Sequence, residues 1–290
     1  MGAEYVGTDE LRAARFAGSD LSGATFTESD LSGASFSRSQ LSGATFSGAD
    51  LSGAIFSGSH LSRATIRDSD LRGLKVADSW LGDVYLSGDI EHLVVNDVDV
   101  TAYVESELDH RHPERVQARS MRTAEDHRGM WDTLERLWAE TVARAERLPE
   151  AGRFERVDDE WSFVETLRHL VFATDAWASS AILGEERPYH RLGYPYSSYP
   201  REEAAALGVD VDAEPTYDEV MAARASRMAV VRGILDRLTD EGLERPSRRL
   251  PAPGYEDVPR TVRSCLRVIV NEECEHRRYA ERDLAVLESR

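Results

Sequence analysis

Near its C-terminus the chain carries the run LRVIVNEECEHRRYAERDLAVLE, which puts acids and an imidazole where a helix would bury them. Stepping about 100° per residue from Val262, the apolar residues Leu266, Ile269, Ala280, Leu284 and Leu287 fall within about 40° of it, and Glu273 and His276 share that stripe. Glu272 lies at the edge of the stripe, four residues before His276, so the two side chains meet on one face and could share a metal. A carboxylate with an imidazole suits Zn, Ni, Fe or Mn. Buried without a partner such groups are costly, so a metal, a cation such as an arginine, or solvent at a cleft must satisfy them.

A second concentration of functional side chains is GEERPYHRLGYPYSSYPREEAAALG, where Tyr189, His190, Tyr194, Tyr196 and Tyr199 stand among prolines. Long connections inside a compact domain serve as lids or binding loops more often than as spacers. Its tyrosines could line a pocket or simply cover the end of the helices they join.

Four helices must position these groups. The first carries Met130, Leu134, Leu137, Trp138 and Val142 on one face and stops before Pro149. The second opens with a capping box, Ser162 and Glu165, preceded by Trp161, and ends at Gly184. The third opens with Thr216 and Glu219 and runs toward Gly242; the fourth spans about Pro259 to Leu287. Four amphipathic helices with one long crossover between the second and third describe a four-helix bundle. On the second helix the main stripe is Val164, Leu167, Val171 and Ala178, and His169 falls nearly opposite, so it needs a second neighbour or a cleft.

The first third of the chain follows another rule. Every fifth residue from Leu11 to Leu86 is Leu, Phe, Ile or Val, and two residues before most of them stands Ala or Ser. Neither a helical nor a strand period keeps every fifth residue on one buried line, and a fixed short period means a solenoid whose stacked units share a core. The runs SDLSGATF, SQLSGATF, ADLSGAIF and SHLSRATI resemble the pentapeptide-repeat family over about residues 11 to 88. That resemblance implies a right-handed quadrilateral β-helix, one repeat per side and about four coils. Past Leu86 the beat fails, and IEHLVVNDVDVTAYVE reads as strand-like capping structure. ESELDHRHPERVQARS is charged, holds Pro113 and lacks an apolar stripe, so the domain boundary is expected near residues 110 to 116, giving a β-helix over 1–112 and an all-α bundle over 113–290.

The segments EWSFVETLRHLVFATDAW and LRVIVNEECEHRRYAERDLAVLE together resemble the DinB-like superfamily of four-helix bundles, which includes mycothiol- and bacillithiol-type transferases. Members commonly hold a divalent metal through one histidine on the second helix and two, spaced by four, on the last. The resemblance makes His169 the first ligand and His276 the last, with Glu272 standing where the family has histidine. It implies activation of a low-molecular-weight thiol toward an electrophile; in such a site the tyrosine-rich loop, Tyr189 and Tyr194 among it, could line the pocket together with His190, and His190 or Glu273 could accept the proton. The alternative is a scaffold that meets a protein partner through the solenoid.

Some pentapeptide-repeat proteins mimic DNA toward topoisomerases, a role that needs a strongly negative rod. From Arg15 to Leu86 eight acidic residues face six basic ones, so these coils are nearly neutral and the mimicry is disfavoured. The whole chain of 290 residues carries a formal charge of -18, which disfavours nucleic acid and anionic membrane as partners. No signal peptide or apolar span is recognisable, so the cytoplasm is the expected compartment. Cys265 and Cys274 share one helical segment and read as reduced core residues.

Overall fold

The computed structural model describes residues 2–7, 11–81, 86, 90–158, 160–196 and 199–290, and the chain divides into two compact units, Met1–Glu91 and His92–Arg290. The first is a β-solenoid of about four turns. Strands Glu4–Val6, Thr25–Thr27, Thr45–Ser47 and Thr65–Arg67 pair in one parallel sheet, and Arg15–Ala17, Ser35–Ser37, Ile55–Ser57 and Lys75–Ala77 in another. Parallel bridges Asp20↔Gln40↔His60↔Trp80 and Asp30↔Asp50↔Asp70 mark the two remaining sides. Each partner stands one four-sided coil away, which is why a five-residue beat stays in register.

Stacking of like on like fills the interior. Phe26 lies 4.7 Å from Phe46 and Phe36 lies 4.6 Å from Phe56, both pairs within 4° of parallel, while neighbouring columns meet edge to face at 6.1 to 6.3 Å. Offset and edge-to-face ring contacts are the favourable arrangements of the aromatic quadrupole. Ala24, Ala34, Ala44 and Ala54 are fully buried beside them, leaving room for one large group per level. Serine at the same small position does more than save space. Ser39 Oγ donates to the carbonyl of Phe16 at 3.1 Å and Ser59 Oγ to that of Phe36 at 3.0 Å, tying each coil to the one before it. Corner glycines such as Gly33 and Gly53 hold φ of +68° and +66°, where a side chain would be strained.

The second unit begins with an antiparallel hairpin, Val94–Val95 with Val98–Asp99, followed by α1 (Thr101–Arg111) and α2 (Pro113–Ser120). The compact units therefore part some twenty residues before the expected boundary, and the charged stretch is helical. Its missing apolar stripe has a physical cause: α2 is held to the last helix, α8 (Val262–Glu288), by ion pairs, Glu114 with Arg277 at 3.1 Å and Arg115 with Glu275 at 2.7 Å. Pro113 occupies the first turn of α2, where its missing N–H costs nothing.

The bundle consists of α3 (Ala124–Ala145), α4 (Phe163–Thr174), α6 (Tyr217–Leu235) and α8, with short helices α5 (Arg201–Ala206) in the crossover and α7 (Asp240–Leu243) before the last connection. Helix α4 packs on both α6 and α8, and α3 does the same from the other side. The capping boxes at Ser162/Glu165 and Thr216/Glu219 form with both reciprocal bonds in place. Helix α4 runs on as a π-helix, Asp175–Leu183, and ends at Gly184 with φ of +77°. Among the described residues no helix is long and apolar enough to cross a membrane.

Replacing Phe36 by alanine removes a ring from the middle of the column and leaves a cavity between two coils. The solenoid is expected to lose about 3–5 kcal/mol, read as a shifted urea transition of the full chain.

Candidate metal centre

Two elements bring the chemistry together. On α8, Glu272 and His276 are one turn apart, and Glu272 Oε2 lies 3.1 Å from His276 Nε2. From α4, His169 Nε2 comes to 3.3 Å from the same oxygen. Ligand atoms of His169, Glu272 and His276 all lie within 4.8 Å of one another. The expected difficulty with His169 disappears because α4 has no solvent face: every residue from Thr166 to Ile182 is buried. The face opposite the main stripe therefore meets a neighbour too, and that neighbour is α8.

The second nitrogen of His169 fixes its protonation. Nδ1 lies 2.9 Å from the backbone oxygen of Tyr194, and since a carbonyl can only accept, Nδ1 carries the hydrogen. Nε2 is left to face Glu272, where it can hold either a proton shared with the carboxylate or a metal ion. Burial pushes the Glu272 carboxyl up, but hydrogen bonds from His169 and His276, with their charge, outweigh it and hold the group well below the usual carboxylate range. Burial pushes His276 down, with the charge of His169 acting in the same direction. Two imidazole nitrogens and a carboxylate oxygen brought this close together are a donor set that fits a first-row divalent metal. The site also has an open side, since the Glu272 side chain is 31% exposed and that of His276 17%, against 7% for His169.

Aromatic rings wall the centre. The Trp161 indole lies 4.7 Å from the His169 ring and 5.7 Å from that of His276, nearly parallel to the latter at 16°. In sequence Trp161 is only the residue before a helix cap. Tyr255 carries no sequence signal and meets Trp177 and Tyr196 edge to face at 5.4 and 6.3 Å; burial pushes its phenol up, with Tyr196 and the negative charge of Glu272 adding to this.

The other expected site residues are distributed more widely. Tyr194 reaches the centre through its carbonyl, and its ring meets Trp161 edge to face at 5.7 Å. Tyr189 instead donates its hydroxyl to the carbonyl of Pro251 and packs on Phe172 at 5.6 Å; burial pushes its phenol up to about 12. Glu273 is 1% exposed, its carboxylate meeting Arg224 of α6 in the bundle core rather than the two histidines. Burial pushes its carboxyl up against the opposing pull of Arg224. A group so enclosed has no route to a substrate, which tells against its reading as proton acceptor. His190 is not brought to the cluster either: its backbone N–H donates to Asp175 Oδ2 at 2.8 Å, and its Nδ1 accepts from the Leu192 N–H at 3.2 Å. Burial, then Arg227 and Arg191, push its imidazole down. Both cysteines are buried and free, and burial pushes Cys265 up and Cys274 up to about 12, so neither supplies a thiolate.

Residues 133–280, just over half of the chain, match the DinB superfamily. The chain belongs to the DinB superfamily. This DinB-superfamily chain also carries pentapeptide repeats, matched over residues 10–48 and again over 31–75. Among solved structures it is similar to a protein from Streptococcus pneumoniae, at 18% identity over 60% of this chain and 96% of that one, with a TM-score of 0.40. An uncharacterised protein from Clostridium difficile 630 is similar at 17% identity, over 56% and 95% of the two chains, TM-score 0.39. HetL, a pentapeptide repeat protein involved in heterocyst differentiation regulation in the cyanobacterium Nostoc, is 27% identical over 26% of this chain and 37% of its own, TM-score 0.16. No curated protein matches the chain.

Asp175, where α4 passes into its π-helical extension, supplies a pH test. It is 1% exposed and paired with Arg227 at 2.8 Å, yet burial raises its carboxyl to about 6, Arg227 opposing. The folded state thus holds a proton that the unfolded chain has released, so the stability from this group is present below about pH 4 and falls as pH rises toward 6. Urea unfolding across that window should show native protein losing about 2–3 kcal/mol relative to Asp175→Asn.

Proposed function

We propose that the helical unit is a metal-dependent S-transferase that activates a low-molecular-weight thiol toward an electrophile, with His169, Glu272 and His276 as the metal ligands. The convergence of these three side chains, with one imidazole tied to a carbonyl and one side of the cluster open, supports the reading. Zn, Ni, Fe or Mn suits two imidazoles and a carboxylate, and three protein ligands leave positions free for other donors. A bound divalent cation would lower the pKa of a coordinated thiol, so that thiolate is present at neutral pH.

The chain's own residues orient and enclose. Trp161 lies against both imidazoles and keeps water from that side, and the Tyr194 carbonyl holds His169 by Nδ1 with Nε2 turned toward Glu272. The nucleophilic sulfur must arrive with the substrate, since Cys265 and Cys274 are sealed in the core.

For the solenoid we propose contact with a protein partner. Its coils balance their charges locally, Asp30 accepting from Arg12 and Asp70 from Arg72, which suits protein contact better than imitation of a polyanion.

Metal analysis of protein purified without an affinity tag tests the catalytic reading. Near-stoichiometric Zn, Ni, Fe or Mn is expected, with His276→Ala and His169→Ala each losing it while keeping the native circular dichroism spectrum, and thiol consumption with a model electrophile falling at least about 100-fold. Protein that takes up no divalent metal under any of these conditions refutes the transferase.

A further inference from the structure

The residue beside the α4 ligand is a buried arginine with an unusual set of partners. Arg168 is 5% exposed, and its guanidinium donates to three backbone carbonyls, those of Leu192 at 2.9 Å, Asp210 at 2.9 Å and Ala213 at 3.0 Å. A charge buried in this way is expensive unless its donors are satisfied, and the planar five-donor fork of arginine can reach carbonyls too far apart for one ammonium head. Those carbonyls lie at two separate stretches of the crossover between α4 and α6, so one side chain staples the crossover to α4.

The staple lands at the metal centre. The Arg168 guanidinium lies 5.0 Å from the centre of the Tyr194 ring, and the Tyr194 N–H donates to Arg168's own carbonyl at 3.1 Å. The Tyr194 carbonyl then takes the Nδ1 hydrogen of His169. Gly193 eases the approach: a Cβ there would stand 3.2 Å from the His190 oxygen and 3.3 Å from Phe172 Cβ, tight enough that the crossover or α4 must give by a few tenths of an ångström.

We propose that Arg168 is a positioning residue which, through the backbone of Tyr194, fixes the tautomer and direction of His169. The inference rests on the metal-centre reading for its purpose but not for its geometry. An outer partner that holds the non-coordinating nitrogen of a histidine sets which nitrogen keeps its lone pair. Arg168 touches no ligand atom; its effect passes through the crossover it holds down.

The test uses the full chain, first free of metal. Long-range nitrogen–proton NMR spectra of the His169 ring, assigned by comparison with His169→Gln, show which nitrogen carries the proton. Native protein should hold it on Nδ1. Arg168→Lys keeps the charge but has one compact donor head that cannot reach all three carbonyls, and Gly193→Ala crowds the same loop from the other side. Each should shift the ring toward mixed tautomers and weaken zinc binding, titrated against a chromophoric chelator, by about 10–100-fold. Native protein whose His169 Nδ1 carries no proton overturns the proposal without any variant. It is equally overturned if folded variants keep the native tautomer, whatever their zinc affinity. If native protein binds no zinc but the tautomer still shifts in either folded variant, Arg168 keeps its role and the metal reading falls.

Discussion

A helix buried on every side has no water to solvate its polar groups, and α4 is such a helix. Each polar side chain along it must find a partner inside the protein. Arg168 finds carbonyls of the crossover, His169 a carbonyl on one nitrogen and Glu272 on the other, Thr174 the carbonyl of Leu170, Asp175 the guanidinium of Arg227, and Ser180 the carbonyl of Leu250. These bonds account for the position of most of the surrounding chain. The crossover lies where it does because Arg168 and Asp175 bind its backbone, and the segment after α7 lies where it does because hydroxyls of Ser180, Tyr189 and Tyr199 each donate to one of its carbonyls. The metal centre is one outcome of the same necessity.

The two units solve the problem of a core in different ways. In the solenoid each coil meets only the coils before and after it, and identical side chains face one another across the step. In the bundle unlike elements meet, and charge is used in depth: Arg224 with Glu273 between α6 and α8, Glu114 with Arg277 between α2 and α8. Removing one member of such a pair leaves its partner buried and unpaired, which is why these contacts constrain helix register more than they add net stability.

How far the fold was legible depended on whether local chemistry decided it. The five-residue beat, the glycine terminator at Gly184 and the capping boxes at Ser162 and Thr216 are local, and the structure follows them. The caps at Thr123 and Thr261 were harder to see, because their third helical residues are Asp126 and Ser264 instead of Glu or Gln. Helices α1 and α2 escaped because ion pairs hold them, Arg115 with Glu105 and Arg119 with Asp109 between the two and Glu114 with Arg277 to α8, and such pairs leave no apolar periodicity; α5 lies within the long crossover. Nothing in DAWASSAIL distinguishes a π-helix from an α-helix. At the site, Glu272 and His276 were visible from their spacing, and His169 was recognised by family likeness although the stripe analysis set it apart. That analysis assumes one wet face, an assumption that fails for a helix with none. Trp161, Tyr255 and Arg168 gained their places from tertiary contacts and left no periodic trace.

The four-sided coil also governs what sizes this rod can take. Because Phe26 aligns with Phe46 and, two repeats on, Phe36 aligns with Phe56, any gain or loss of chain must come in pairs of pentapeptides to keep phenylalanine above phenylalanine. A single inserted pentapeptide would turn every later side by a quarter and set leucine columns against aromatic ones. Growth by duplication is thus quantised, and the spacing between surface groups on one side of the rod can change only in fixed increments, like the marks on a ruler.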